Sequence, residues 1–378
     1  MSADLTRGEG TFAVHSLDSL GPAATDGCRI VDVDNNGQPV LDLYTVPYQD
    51  QLPQTATAGA KPGIWTLIKL LVTQALYFLL ALQLLLKASK RAKTRMARWQ
   101  LVVGAGSVVA LWGAVVITIV AILVALGLVT LPDASGTLAD AVAIGATGFT
   151  SWVLAKATPV IGEAASRVQQ IMDYAGSQQA AVKVANCLGD AIDAVLESAK
   201  KKKTPTPPVF ILGYSMGALV AFDFLFPRES QLELRDDRHA AIRALITIGC
   251  PLDFTRLYLP KYTDDRVSRV SGLPWINIFI PADVLGSNCA DGNDSEVPAK
   301  VAFEVPGMGL THIVKFTDEE LTWSGIWAYR GFVSHSGYWS VPGAGNCLGE
   351  VLPTVLDPGA GRELLTQGTG PAVTKTAP

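Results

Sequence analysis

The residues best suited to chemistry form the pentapeptide GYSMG at Gly213–Gly217. An apolar run typical of a buried strand, Val209–Leu212, precedes it, and an apolar, helix-like run, Ala218–Phe226, follows it. Small residues at both ends permit a tight strand-to-helix turn that strains and exposes the serine. This pattern predicts Ser215 as a nucleophile, with the backbone N–H of Met216 at the helix N-terminus donating to an oxyanion. The alternative is a glycine-bounded turn whose serine caps the helix.

A serine nucleophile needs a base within hydrogen-bond reach and a carboxylate that orients the base. The histidines of the chain are His15, His239, His312 and His335. In strand–turn–helix sites of this kind the chain order is Ser, then Asp or Glu, then His, which excludes His15. His239 lies in a charged stretch and is interpreted as a surface residue. His335 is favoured because its segment is rich in turn residues, whereas His312 lies in a run that could itself be a strand.

The carboxylate is expected just after a later strand. Asp283 follows the apolar run Trp275–Ile280 and is the favoured acid. Asp253, one strand earlier, is the alternative, and an aspartate at a loop start can also serve only as a helix cap. The five cysteines are widely spaced and form no CxxC pair, which argues against a zinc site or a disulfide scaffold. The predicted chemistry requires neither a metal nor a cofactor.

The elements that must position these residues alternate along the chain. Short continuous apolar runs at 209–212, 244–248 and 275–280 are separated by helix or loop material. This alternation predicts an α/β fold with a mostly parallel sheet covered on both faces. Further strands are expected at 11–15, 40–48 and 300–305, and apolar residues at helical spacing predict a helix over 163–200.

The composition indicates a membrane-associated chain. The 378 residues are 49% hydrophobic and only 17% charged, which excludes intrinsic disorder and argues against a wholly soluble protein. The net charge of -4 offers no basic field that would recruit nucleic acid. Leu101–Leu131 contains no charge and is long enough to predict a transmembrane helix. Ile64–Leu86, with Lys69 near one end, predicts a second span, or alternatively an interfacial helix.

The loop between these two segments sets the expected orientation. Residues 87–100 contain six Lys or Arg residues and no acid, which places the loop in the cytoplasm and both flanks outside it. The alternative is that these cations bind lipid headgroups beside a cytoplasmic domain. Ala141–Ala155 is apolar but too short for a span, and we interpret it as a buried or interfacial helix. The tail 359–378 lacks periodic apolar residues and is predicted to be disordered.

Taken in order, the motifs resemble the α/β-hydrolase superfamily, in particular its lipase and esterase branches. The resemblance rests on GYSMG, on TIGCPL at 247–252, on IPADVLGS around Asp283 and on SHSGYW around His335. It implies an α/β-hydrolase domain formed by residues 1–63 and 132–358 and interrupted by a transmembrane hairpin at 64–131. It also implies a second oxyanion donor in the turn after an early strand. The matching segment is Phe12–Leu17, where Ser16 replaces the usual glycine, and the implied donor is the backbone N–H of Ser16 or of Leu17.

The resemblance also constrains membrane topology. If Phe12–Leu17 and Val209–Leu212 share one sheet, both parts of the domain lie on one side of the membrane, so the number of intervening spans is even. The resulting hypothesis is a membrane-anchored serine hydrolase that cleaves carboxylic esters of lipids or other apolar acyl groups through an acyl-enzyme. Its expected partners are the lipid bilayer and an acyl ester, without nucleic acid. The alternatives are an acyltransferase with the same triad and a non-catalytic hydrolase-like membrane scaffold, which the Ser16 departure would favour.

Overall fold

The N-terminal strands and the region around the predicted site are the described parts of this computed structural model. They comprise residues 12–33, 36, 38–48, 170–171, 173–228, 236–283, 285–289, 303–317, 334–339 and 346–347. The described residues up to Tyr48 and those from Ile171 onward belong to one compact unit. The predicted hairpin 64–131 with its loop 87–100, the apolar segment 141–155 and the tail 359–378 lie outside the described residues. Among the residues that are described, no helix is both long and apolar enough to cross a membrane.

Four parallel strands form the sheet that carries the predicted site. In spatial order they are β4 (Val209–Tyr214), β5 (Ile242–Ile248), β6 (Leu273–Phe279) and β7 (Met308–Lys315). Six of the seven residues in β5 and six of the seven in β6 are buried. Such nearly continuous burial is expected where a parallel sheet is covered on both faces. The predicted α/β class with a mostly parallel sheet is therefore confirmed.

One helix, α1 (Gln178–Lys201), precedes these strands, and three lie between them along the chain: α2 (Met216–Leu225), α3 (Asp236–Ala240) and α4 (Leu252–Tyr258). Eight of the ten residues of α2 are buried, and the one ionisable residue among them, Asp223, forms an ion pair with Arg266 at 2.6 Å. Helix α1 begins later than predicted because Ser177 interrupts the helical run, its side chain accepting a hydrogen bond from the Ala180 N–H at 3.2 Å. Residues 163–169 of the predicted helix lie outside the described part.

A chain of buried polar groups crosses the core next to the aromatic ring of Trp275. The Trp275 indole N–H donates to Thr247 Oγ1 at 2.8 Å, and the Thr247 hydroxyl donates to Asn277 Oδ1 at 2.7 Å. The Asn277 amide then donates to the Ser287 carbonyl oxygen at 2.7 Å. Because buried polar groups are costly unless they are paired, these bonds fix the loop after β6 relative to β5.

The N-terminal strands form a separate sheet, which corrects one prediction. Strand β1 (Phe12–Leu17) pairs antiparallel with β2 (Thr25–Asp32), which pairs antiparallel with β3 (Gln38–Thr45). Within the described residues β1 is therefore not a strand of the parallel sheet. Strand β2 was not predicted, because Asp26, with φ of 45°, and Gly27 interrupt its apolar pattern.

The strand expected at 300–305 is also wrong where the structure describes it. Residues 303–305 are irregular, and the strand lies beyond them at β7. A turn at Pro306 and Gly307, which has φ of +80°, separates the two segments. The shift places His312 inside β7, opposite Ile276 of β6.

Helix α2 packs closely against β4 at Gly213, and this contact generates a stability prediction. A Cβ on Gly213 would lie 2.6 Å from Ala218 Cα and 2.6 Å from the Gly217 carbonyl oxygen. Because these are backbone atoms, the helix would have to move, and we expect Gly213→Ala to lower the free energy of unfolding by about 1–3 kcal/mol. Chemical denaturation in detergent measures the loss. The matched control is Gly176→Ala, whose Cβ would meet no atom within 4 Å. Equal stability of the two variants would contradict the tight strand–helix contact.

Candidate active site

Ser215 occupies the turn between β4 and α2 in a strained backbone conformation. Its φ of 52° and ψ of -121° are unusual for a residue other than glycine and cost on the order of 1–3 kcal/mol. The Ser215 N–H donates to the Ile248 carbonyl at 2.9 Å, and the Ser215 carbonyl accepts from the Ala218 N–H at 2.9 Å. The serine side chain makes no capping hydrogen bond to the helix. The turn therefore has the predicted strained geometry, and the helix-cap alternative is not observed.

His335 connects the serine to the favoured acid. Its Nε2 lies 2.7 Å from Ser215 Oγ, and its Nδ1 lies 2.8 Å from Asp283 Oδ2. When Nδ1–H donates to the carboxylate, Nε2 is left to accept the hydrogen bond of the serine hydroxyl. His335 is 0% exposed and Asp283 is 1% exposed, so the contact between them is shielded from bulk water, while Ser215 is only half-buried. The structure thus brings together Ser215, His335 and Asp283.

The two alternative residues lie elsewhere. Buried Asp253 accepts from the Cys289 N–H at 3.0 Å and forms an ion pair with Arg256 at 3.5 Å, so it holds the loop after β6. His312 projects from β7, where partial burial lowers the pKa of its imidazole. The surface position predicted for His239 is wrong: the residue is only 8% exposed, and its ring packs against Phe224 with centroids 6.1 Å apart. The prediction was wrong because the charged residues around His239 in the sequence are typical of an exposed segment.

Tyr338 holds the carboxylate and was not assigned a role from the sequence. Its hydroxyl donates to Asp283 Oδ2 at 2.8 Å and accepts from the Ile280 N–H at 3.1 Å. The Leu285 N–H donates to the other carboxylate oxygen at 2.9 Å. Burial, followed by the nearby Asp283 charge, raises the pKa of Tyr338 well above its ordinary value, so the phenol remains a donor. The available signal was its position three residues after His335, in the same turn.

Two glycines make room for this arrangement. A Cβ on Gly286 would lie 2.5 Å from Asp283 Oδ2, and a Cβ on Gly249 would lie 2.9 Å from Tyr338 Cε2. Gly249 also has φ of +56°, which glycine adopts without strain. These contacts give a physical reason for the glycine in the TIGCPL motif and for the one that follows the acid.

Tyr214 holds the segment around His335 next to the turn that contains Ser215. Its hydroxyl donates to the backbone carbonyl of His335 at 2.5 Å, and the two rings stack with centroids 5.5 Å apart. Trp339 contacts the Tyr214 ring edge-on at 5.3 Å and is 36% exposed. The second residue of GYSMG therefore positions the base from the side of β4.

The two predicted oxyanion donors lie in different settings. Met216 is the first residue of α2, where backbone N–H groups have no partner within the helix and favour a negatively charged ligand. Ser16 lies inside β1, opposite Cys28 in the antiparallel ladder, and not in a turn after a strand of the parallel sheet. The structure therefore supports the Met216 position and does not support the Ser16 position.

The arrangement can supply nucleophilic attack, proton transfer and stabilisation of negative charge at one place. None of the described residues forms a cluster of three or more His, Cys, Asp or Glu side chains that could hold a metal ion. Comparisons of the chain with models of protein families, with curated proteins and with solved structures gave no match. The chemistry is therefore inferred from the site itself.

Buried tyrosines generate a prediction about stability at high pH. Burial raises the pKa of Tyr338, Tyr262 and Tyr174 well above the value of about 10 expected in the unfolded chain. Above about pH 10 the unfolded chain releases phenol protons that the folded protein retains, so stability is full below that pH and falls as the pH rises. The expected fall is up to about 1.4 kcal/mol per pH unit for each tyrosine.

Chemical denaturation at several alkaline pH values measures this fall, with Tyr338→Phe as the comparison. This variant should be about 1–3 kcal/mol less stable near neutral pH because the buried Ile280 N–H loses its acceptor. It should also show a shallower decline at alkaline pH, because one retained proton is removed. An identical decline in the two proteins would contradict the raised pKa of Tyr338.

Proposed function

We propose that the protein is a serine hydrolase that cleaves carboxylic esters through an acyl-enzyme. The observation that carries this proposal is the hydrogen-bonded chain from Ser215 Oγ through His335 to Asp283, with contacts of 2.7 and 2.8 Å. The strained backbone of Ser215 at the N-terminus of α2 supports the same assignment. Nucleophile, base and orienting acid are recognised by such geometry and not by their sequence positions.

The proposed reaction proceeds in two halves. Ser215 Oγ attacks the ester carbonyl carbon while its proton passes to His335 Nε2, and the negative charge that develops on the carbonyl oxygen meets the Met216 N–H. Collapse of this intermediate breaks the bond to the alcohol, which takes the proton from His335. Water then loses a proton to His335 and attacks the acyl carbon. The bond to Ser215 Oγ breaks, the acid is released, and the proton held by His335 returns to Ser215 Oγ. Asp283 keeps the imidazole oriented and stabilises its charged form throughout.

An apolar acyl group is the proposed substrate class. Leu212 and Tyr214 lie on one face of β4, since alternate residues of a strand point the same way. Leu212 is 40% exposed, and the exposed Trp339 packs against Tyr214 beside His335. This exposed apolar surface next to the base favours an acyl chain over a polar group, and an ester of a lipid would provide one.

Membrane attachment through residues 64–131 is the second part of the proposal. The uncharged run 101–131 and the six cations of loop 87–100 support a two-span hairpin with a cytoplasmic loop. The described residues before and after this segment belong to one compact unit, which a bilayer cannot divide. An even number of spans would keep both parts on one side of the membrane, and by the charge rule that side would be the non-cytoplasmic one.

Active-site labelling tests the nucleophile. We expect a fluorophosphonate probe to label the wild-type protein with one adduct per chain and to leave Ser215→Ala unlabelled, since only an activated serine reacts readily. Ser336→Ala, which removes an exposed serine next to His335, is the matched control and should label fully. Labelling of folded Ser215→Ala at the wild-type stoichiometry would overturn the assignment.

Limited trypsin digestion of sealed vesicles tests the topology. Two basic stretches are available, loop 87–100 and the exposed run Lys200–Lys203 at the end of α1. In inverted vesicles, whose cytoplasmic face points outward, we expect cleavage within loop 87–100 only. Detergent should then allow cleavage at 200–203 as well. Cleavage at 200–203 before detergent is added would place the hydrolase domain in the cytoplasm.

A further inference from the structure

Stabilisation of an oxyanion generally uses more than one donor aimed at the same oxygen, and the site described so far provides one. Met216 contributes a backbone N–H at the start of α2, whereas Ser16 lies in the ladder of β1. A second polar group does reach this helix end from the N-terminal part of the chain. It is the hydroxyl of Tyr48, three residues after β3.

The Tyr48 side chain rests against the backbone of the second residue of α2. A Cβ built on Gly217 would lie 3.3 Å from Tyr48 Oη and 4.0 Å from Tyr48 Cζ. The phenol thus occupies the space left by the missing side chain, one residue beyond the Met216 donor. The Tyr48 N–H donates to the Val46 carbonyl at 3.0 Å, which closes a tight turn and directs the chain at this position.

The chemistry of Tyr48 fits a donor. Within the part of the chain that the structure describes, the Tyr48 hydroxyl makes no hydrogen bond, so no described group already holds its proton. Burial raises the pKa of Tyr48 to about 12, and the hydroxyl therefore keeps its proton at neutral pH. A tyrosine O–H is among the groups able to bind a developing oxyanion.

We propose that the Tyr48 hydroxyl is the second oxyanion donor of this site, acting beside the Met216 N–H. The inference rests on the proposed hydrolase function and adds a catalytic residue to it. Tyr48 donates a hydrogen bond to the carbonyl oxygen as Ser215 Oγ bonds to the carbonyl carbon, and no proton leaves the phenol. A Cβ at residue 217 would lie 3.3 Å from the hydroxyl, so the phenol would have to shift by a few tenths of an ångström to accommodate it.

The test compares Tyr48→Phe with Tyr44→Phe, a matched loss of one hydroxyl from the neighbouring strand β3. With p-nitrophenyl butyrate, we expect Tyr48→Phe to lower kcat on the order of 10²-fold with little change in KM, because the bond forms only in the transition state. An aryl trifluoromethyl ketone, which adds to a serine to give a charged tetrahedral oxygen, should bind more weakly by a similar factor. Tyr44→Phe should match the wild type in both measurements.

The outcomes separate this inference from the function on which it rests. Wild-type kcat and ketone affinity in Tyr48→Phe would overturn the inference, while stoichiometric fluorophosphonate labelling of Ser215 would keep the hydrolase. A lower kcat with unchanged ketone affinity would also overturn it, since Tyr48 would then act only through structure. Absence of both labelling and ester turnover in the folded wild type would instead refute the proposed function.

A second variant, Gly217→Ala, tests the same contact independently through a double-mutant cycle. Gly217→Ala places a methyl group against the phenol and should lower kcat when Tyr48 is present. In a Tyr48→Phe background the same change should cost much less, because the displaced hydroxyl is already absent. Equal fold-losses in the two backgrounds would show that Gly217 and Tyr48 act independently and would contradict the proposal.

Discussion

The buried carboxylate of Asp283 is the constraint around which the site is arranged. A carboxylate removed from water is tolerated only when donors surround it, and Asp283 accepts from His335, from Tyr338 and from the Leu285 N–H. These donors come from the loop after β6 and from the segment 334–339. Satisfying one charge therefore holds both segments together and, through His335, aligns the imidazole with Ser215.

The conformation of Ser215 depends on a second set of contacts, which restrain the backbone and involve no charged group. Its positive φ persists because hydrogen bonds to Ile248 and from Ala218 hold the turn from both sides. Gly213 allows α2 to approach β4 closely, and Gly249 leaves space for the ring that supports the acid. The buried polar chain that ends at Ser287 then ties the acid loop to the sheet. Together these contacts hold the strained backbone of Ser215 in one conformation and so define the position of its hydroxyl.

The features of the fold and site that can be predicted from the sequence are those determined by short-range patterns. The apolar strand, small residues and apolar helix around Ser215 are contiguous, so the turn could be predicted, and the turn residues near His335 favoured it over His312. The position of β1 could not be predicted because strand pairing joins segments that are distant in sequence. Strand β2 was missed because Asp26 and Gly27 interrupt its apolar pattern. Tyr338 and Tyr48 were missed for the same reason as the position of β1, since their site contacts, Asp283 and Gly217, are distant in sequence.

The nucleophile can be identified by mass spectrometry, which locates the covalent adduct after reaction of the full-length protein with a small alkyl fluorophosphonate. We expect one phosphonyl group per chain, carried by Ser215 in the peptide that contains GYSMG, and no stable adduct in His335→Ala over the same reaction time. An adduct on any other residue of the folded protein, or equal modification of Ser215 when His335 is absent, would contradict the proposed role of Ser215.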